Sequence, residues 1–260
     1  MKNTLKTIGS ILLFCSTWAG ATPLVEDPFG LDGALVGTAP GTGGAWQSLS
    51  GTAGTLLVSG GRLQIQDDNT EDAESDFSLA QPGDVYAGFT LNMSAADLPS
   101  VGGDYFSSFR EGTGNDGRIF SYRPAGTAVG KFRLGLSNGD VAATVGWGED
   151  LETGVDYRVV AKFTQNGAND LMTLWIGPAS EGSPSISTTG TALSTSLSAF
   201  AFRQTSVTGD MTIDNLVVAT TFAETIPEPS TVLLGCLGCL LTGWAMRHRG
   251  RNQPADSKPI

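Results

Sequence analysis

Between residues 55 and 218 the chain repeats one unit about a dozen times: a short run of alternating apolar and polar residues, closed by glycine, asparagine, aspartate or proline. A period of two places every second side chain on one face of an extended strand, a pattern no helix can bury. The first runs are Thr55–Val58, Arg62–Gln66, Phe77–Ala80, Val85–Met93, Tyr105–Arg110 and Arg118–Arg123. Phe132–Ser137, Thr144–Trp147, Tyr157–Thr164, Leu171–Ile176, Ala199–Gln204 and Met211–Val218 follow. Ser59-Gly60-Gly61, Asn115-Asp116-Gly117, Ser137-Asn138-Gly139 and Asn166-Gly167 separate them with residues that tolerate positive φ. The expected class is therefore all-β, a sandwich or a barrel. A glycine content of 35 in 260 residues with only 16% charged residues agrees with it. Ser94–Leu98 is read as a single turn, and residues 178–198 as a long surface connection. No linker divides the body, so one domain is expected.

The two ends differ from that body. Lys2 and Lys6 precede a mostly apolar stretch from Ile8 to Trp18, and Ala19-Gly20-Ala21 offers the small residues that signal peptidase requires. Residues 1–21 thus read as a secretory signal peptide, which implies the Sec translocon and signal peptidase as partners. At the other end, residues 231–246 carry no charge and would reach about 24 Å as a helix, close to the hydrocarbon thickness of a bilayer. Arg247, His248, Arg249 and Arg251 follow at once, and the positive-inside tendency places them in the cytoplasm with the body outside. Cys236 and Cys239 have C-x-x-C spacing, but in an apolar helix they read as small packing residues.

Export makes the remaining composition informative. The span 22–226 contains neither cysteine nor histidine, which removes disulfides, Cys–His pairs, Ser–His–Asp triads and zinc–histidine sites. It holds nine Lys+Arg against 24 Asp+Glu, a net charge of −15, so nucleic acid and anionic lipid are repelled. Six carboxylates crowd into Asp67–Asp76, and Asp67, Asp68, Glu71 and Asp72 are the candidate calcium ligands. EF-hand spacing is absent there, and a solvated acidic loop is the competing reading. Asp104, Asp116 and Asp214 are further acids that could contribute. No strand carries the alternating carboxylates of a jelly-roll glycosidase, and Glu149-Asp150-Leu151-Glu152 reads as a turn. Trp46 and Trp147 are the candidate glycan contacts, with core packing the competing reading for each, while Trp175 alternates with Leu171 and Thr173 as a core residue would. Arg203 is expected to pair with Asp214 across strands.

Two resemblances sharpen this outline. The succession "GDYFSSFR", "GRIFSYR", "FRLGLS", "LETGVDYRVVAKF", "LMTLWIGP", "AFAFRQ" and "MTIDNLVVATTF" resembles a recurrent domain of bacterial surface proteins. That domain is similar to laminin-G and concanavalin-type jelly rolls, which implies two curved antiparallel sheets packed face to face and leaves the ligand open. Pro227-Glu228-Pro229-Ser230, the apolar stretch and the basic cluster, in that order, resemble the PEP-CTERM sorting signal of Gram-negative bacteria. This resemblance implies recognition by an exosortase, a membrane cysteine protease, with processing near Pro-Glu-Pro and transient membrane anchoring. Export with exopolysaccharide or biofilm matrix goes with it. The nine residues 252–260 depart from the pattern, whose members usually stop soon after the arginines. The expected organisation is a signal peptide at 1–21 and a β-sandwich ectodomain at 22–225. A sorting signal at 226–251 (helix 231–246, basic cluster 247–251) and a polar tail at 252–260 follow.

Overall fold

The computed structural model describes residues 22–167, 169–190 and 196–226, so the signal segment, Pro227–Ser230, the apolar stretch and the basic cluster lie outside the described residues. The first strands are β1 (Val25–Asp27), β2 (Gly33–Ala34), β3 (Gln47–Ser50), β4 (Leu57–Ser59), β5 (Arg62–Ile65) and β6 (Asp72–Asp76). The middle of the chain forms β7 (Asp84–Met93), β8 (Asp104–Glu111), β9 (Gly114–Tyr122), β10 (Lys131–Asn138), β11 (Val145–Gly146) and β12 (Leu151–Glu152). The last are β13 (Tyr157–Thr164), β14 (Leu171–Ile176), β15 (Ile186–Thr189), β16 (Ala199–Arg203) and β17 (Met211–Ala219). One sheet runs β15-β14-β13-β7-β17-β5-β4-β2, with β1 added on β17. The other runs β11-β10-β9-β8-β16-β6-β3, with β12 added on β10. Pairings among these strands are antiparallel throughout, giving the expected two-sheet, all-β architecture with almost no helix.

Period-two patterning builds the core. Val85, Ala87, Phe89, Leu91 and Met93 of β7 face inward with Val159, Ala161 and Phe163 of β13. From the facing sheet Phe106, Phe109, Phe200 and Phe202 meet them, with Phe89 lying 6.1 Å from both Phe106 and Phe202 in edge-on contacts. Gly117 marks a close approach of the two sheets, since a Cβ there would fall 2.5 Å from Met172 Sδ.

Several sequence expectations change: residues 178–198 contain strand β15, and Glu149-Asp150-Leu151-Glu152 ends in strand β12. Phe77–Ala80 is not a strand; the acidic run before it is, as β6. Ala73 and Ser75 point inward while Asp72, Glu74 and Asp76 point outward, where Arg203 faces Asp72, Arg110 pairs with Glu74 and the Gln47 amide donates to Asp76. The solvated-loop reading of Asp67–Asp76 therefore fails from Asp72 onward. The Arg203–Asp214 pair does not form either: Arg203 lies in the second sheet and binds Asp104 at 2.8 Å and Asp72 at 3.8 Å, whereas Asp214 lies on β17 in the first.

The outer face of the first sheet has a cover of its own. Tyr86, Val160 and Trp175 are buried there beneath Phe222, with Ile226 packed alongside. A short 3-10 turn at Ala223–Thr225 carries these last described residues across β7. Trp175 is thus buried as expected, though on the outer face of the sheet and not between the sheets.

Candidate functional site

The sheet register brings together three acids that are far apart in sequence. Met211, which opens β17, pairs with Ile65 at the end of β5 and with Met93 at the end of β7. Asp210 precedes Met211 by one residue, Asp67 follows Ile65 by two and Asp97 follows Met93 by four, so all three gather at one end of the sheet. Their carboxylates offer oxygens that lie within 4.8 Å of one another, each side chain half-buried. The backbone ties the cluster: Asp67 N–H donates to Asp210 Oδ1 at 3.0 Å, and Asp210 N–H donates to the Asp97 carbonyl at 3.3 Å. Desolvation, then hydrogen bonding to Asp97 and repulsion from its acidic neighbours, raises the Asp67 pKa to about 6. Three carboxylates this close can hold a shared proton or a hard, oxygen-seeking cation such as calcium.

The remaining predicted calcium ligands serve elsewhere. Glu71 is fully buried, and its Oε2 accepts the N–H groups of Thr55 and Leu56, both at 2.8 Å, fixing the entry to β4. It is a structural staple and does not reach the cluster. Asp72 accepts from Ser50 Oγ at 2.9 Å and faces Arg203; burial raises its pKa against the opposing pull of those partners. Asp68 is exposed. Asp67, Asp68 and Asp72 nonetheless line a common cleft of about 380 Å³, with Ser50, Arg203 and Gln204 on its other walls. Asp67 thus belongs both to the cleft and to the carboxylate cluster.

Beyond the cleft, the outer face of the second sheet is a connected polar surface. Arg110 donates to Glu74 Oε2 at 2.7 Å and to Asn115, whose amide donates to the Tyr105 hydroxyl at 3.2 Å. The guanidiniums of Arg203 on β16 and Arg118 on β9 lie 4.3 and 4.9 Å from the centre of the Tyr105 ring.

The tryptophans named as glycan contacts behave differently. Trp46 is 1% exposed; its Nε1–H donates to Asp27 Oδ2 at 2.7 Å and its ring packs on Phe29 and Phe202. It has no face to offer a sugar; its loop folds it into the core. Trp147 is half-buried against the core, at the edge of the 139–150 excursion. Sequence reasoning missed Asp97 and Asp210, which sit in ordinary turn sequences and acquire significance only through the β5–β17–β7 register. Among the described residues no helix is long and apolar enough to cross a membrane.

No protein-family model matches the chain, and no curated protein sequence does. Among solved structures the chain is similar to the metal-free carbohydrate recognition domain of Emp46p, at 8% identity over 67% of this chain and 88% of that one, with a TM-score of 0.45. The Ca2+/Man-bound exoplasmic/lumenal domain of VIP36 matches at 12% identity over 73% and 88% of the two chains, with a TM-score of 0.42. A sialidase matches at 15% identity and a TM-score of 0.40, over 69% of this chain but only 17% of its own length. None of these likenesses assigns a ligand to this chain.

Proposed function

We propose that this chain is an exported, non-enzymatic protein of the cell surface or extracellular matrix, whose sandwich associates with exopolysaccharide or biofilm glycans. In this reading residues 1–21 direct it through the Sec translocon to signal peptidase. The segment 226–251 holds it in the inner membrane until an exosortase acts near Pro227-Glu228-Pro229. The observation that carries the glycan reading is the cleft beside β6, where carboxylates, a guanidinium, an amide and hydroxyl groups face one concavity. Such groups supply the donors and acceptors that fix sugar hydroxyls. A non-enzymatic role is supported by the lack of histidine and cysteine in 22–226 and by the use of Glu74, Asp104 and Asp150 as partners of arginines.

A second reading, a calcium-dependent carbohydrate-binding module with one defined site, is favoured by the Asp67–Asp97–Asp210 cluster adjoining that cleft. Calorimetry of the purified protein against a glycan panel, with and without chelator, separates the two. Chelator-insensitive binding to many polymers supports the first; loss of binding to one sugar class on chelation supports the second. No binding to any polymer removes the glycan role, and turnover abolished by Asp67→Asn would make the protein an enzyme. Expression in an exosortase host, with Pro227 and Pro229 substituted in parallel, tests the sorting route: only the unsubstituted chain should lose its C-terminal segment.

A further inference from the structure

The outer face of the first sheet is sealed by the last five described residues, and the seal is built into the strands beneath it. Phe222 sits edge-on to Trp175 at 5.4 Å and to Tyr86 at 6.1 Å, with Val160 fully buried under the same cluster. Thr225 is fully buried; its hydroxyl donates to the Phe222 carbonyl at 2.7 Å and closes the turn on itself. Arg158 reaches from β13 across β7 and donates through Nε (3.0 Å) and Nη2 to the Thr225 carbonyl, and through Nη1 to the Asn215 carbonyl at 2.9 Å. Beneath this segment β7 carries Gly88, where any Cβ would lie 2.6 Å from the Thr225 carbonyl oxygen and 2.7 Å from its Cβ. A glycine, a half-buried arginine and two aromatic rings on three different strands are all fitted to residues 222–226.

We propose that Phe222–Ile226 is a C-terminal clip that stays with the domain when the sorting segment is removed, so that processing leaves a mature chain ending at or beyond Ile226. Hydrolysis adds water across one peptide bond, leaving a carboxylate on the retained chain and an amine on the released segment; the clip determines which bonds are accessible. A cut upstream of Phe222 would expose Tyr86, Val160 and Trp175 and leave the Arg158 guanidinium, already depressed to about 10 by burial, without its Thr225 acceptor. Bonds inside the clip are closed to a protease that needs an extended substrate, because the segment is a hydrogen-bonded turn packed on the sheet. This proposal rests on the sorting reading only for its biological setting; the clip itself can be tested without an exosortase.

The test is limited proteolysis of the full chain in detergent with a broad-specificity endoprotease, followed by mass measurement of the resistant core. The wild-type core should end at or after Ile226. Gly88→Ala, which places a methyl under Thr225 without touching the inter-sheet core, should open bonds between residues 221 and 226 to cleavage at least about tenfold faster. Arg158→Gln should do the same, and keeps the proposal falsifiable if one variant folds poorly. A wild-type core that ends before Phe222, or equal cleavage in all three proteins, overturns the clip. In an exosortase host the mature C-terminus should fall at or beyond Ile226, and a mature terminus upstream of it also overturns the clip. Absence of any processing there overturns the sorting reading, and the proteolysis result then decides the clip by itself.

Discussion

Asp67 and Asp210 are 143 residues apart, yet the N–H of the first donates to the carboxylate of the second at 3.0 Å. The Asp210 N–H in turn donates to the Asp97 carbonyl, so the cluster is a point where three segments of chain meet. A site of this kind must respond to pH, because its charge repels itself. The Asp67 carboxyl has a folded pKa raised to about 6 from an ordinary 3.8, mainly by desolvation. Protonation of Asp67 therefore stabilises the fold. That contribution is complete below the unfolded value and is lost as pH rises through the folded one. In chelator, Tm should fall as pH is raised across this window, and Asp67→Asn should flatten the curve and melt higher than wild type at neutral pH. Calcium should raise the wild-type Tm at neutral pH and leave Asp67→Asn nearly unchanged. A wild-type curve that is flat in chelator removes the coupling.

How much of this could be read from the chain depended on whether local pattern or pairing carried the information. Long runs such as Val85–Met93 and Tyr157–Thr164 state their strands outright, because alternation over eight or more residues has one solution. Asp72–Asp76 hides a strand behind its charge, since the arginines that balance it come from β8 and β16. Asp67 was legible as a candidate ligand, but its partners were not: Asp97 and Asp210 reach it only through strand pairing. Trp46 was open to either core packing or glycan contact, and its burial is set by Asp27 and Phe202, partners that only the fold brings to it.

Trp46→Phe gives a direct measure of that burial. The substitution keeps most of the ring volume but removes the donor to Asp27 Oδ2, leaving a carboxylate that is 7% exposed with one acceptor unmatched. A loss of about 1–3 kcal/mol is expected in chemical denaturation. Glycan binding by the folded variant should be unchanged. Weakened binding at unchanged stability would restore Trp46 as a contact.

Arg110 and Glu74 form the most enclosed ion pair of the outer polar face, with side chains 7% and 17% exposed and atoms 2.7 Å apart. Arg110→Met should cost about 3–5 kcal/mol, because it leaves Glu74 charged and largely out of water. The double variant Arg110→Met/Glu74→Leu should recover most of that loss, since neither charge is then stranded. Equal destabilisation in the single and double variants would mean that the guanidinium contributes chiefly through Asn115 and the Tyr105 hydroxyl.

Arg203 offers a way to separate stability from binding at the cleft. Its side chain is 28% exposed and its guanidinium faces Asp104 and Asp72, so Arg203→Gln should cost only about 0–1 kcal/mol, as partly exposed pairs do. The cleft itself changes more. With the cation gone, Asp67, Asp68 and Asp72 face one concavity without an opposing charge on its wall. Anionic polysaccharide, already disfavoured by the acidic body, should then bind at least about tenfold more weakly, a loss of about 1.4 kcal/mol, and more so at low salt, where screening is least. Neutral glycans should lose less, because they forfeit only hydrogen bonds from the guanidinium. Calorimetry with one polymer of each kind, at low and high salt, makes the comparison. Equal binding of both polymers by wild type and variant would place the glycan surface elsewhere on the sandwich.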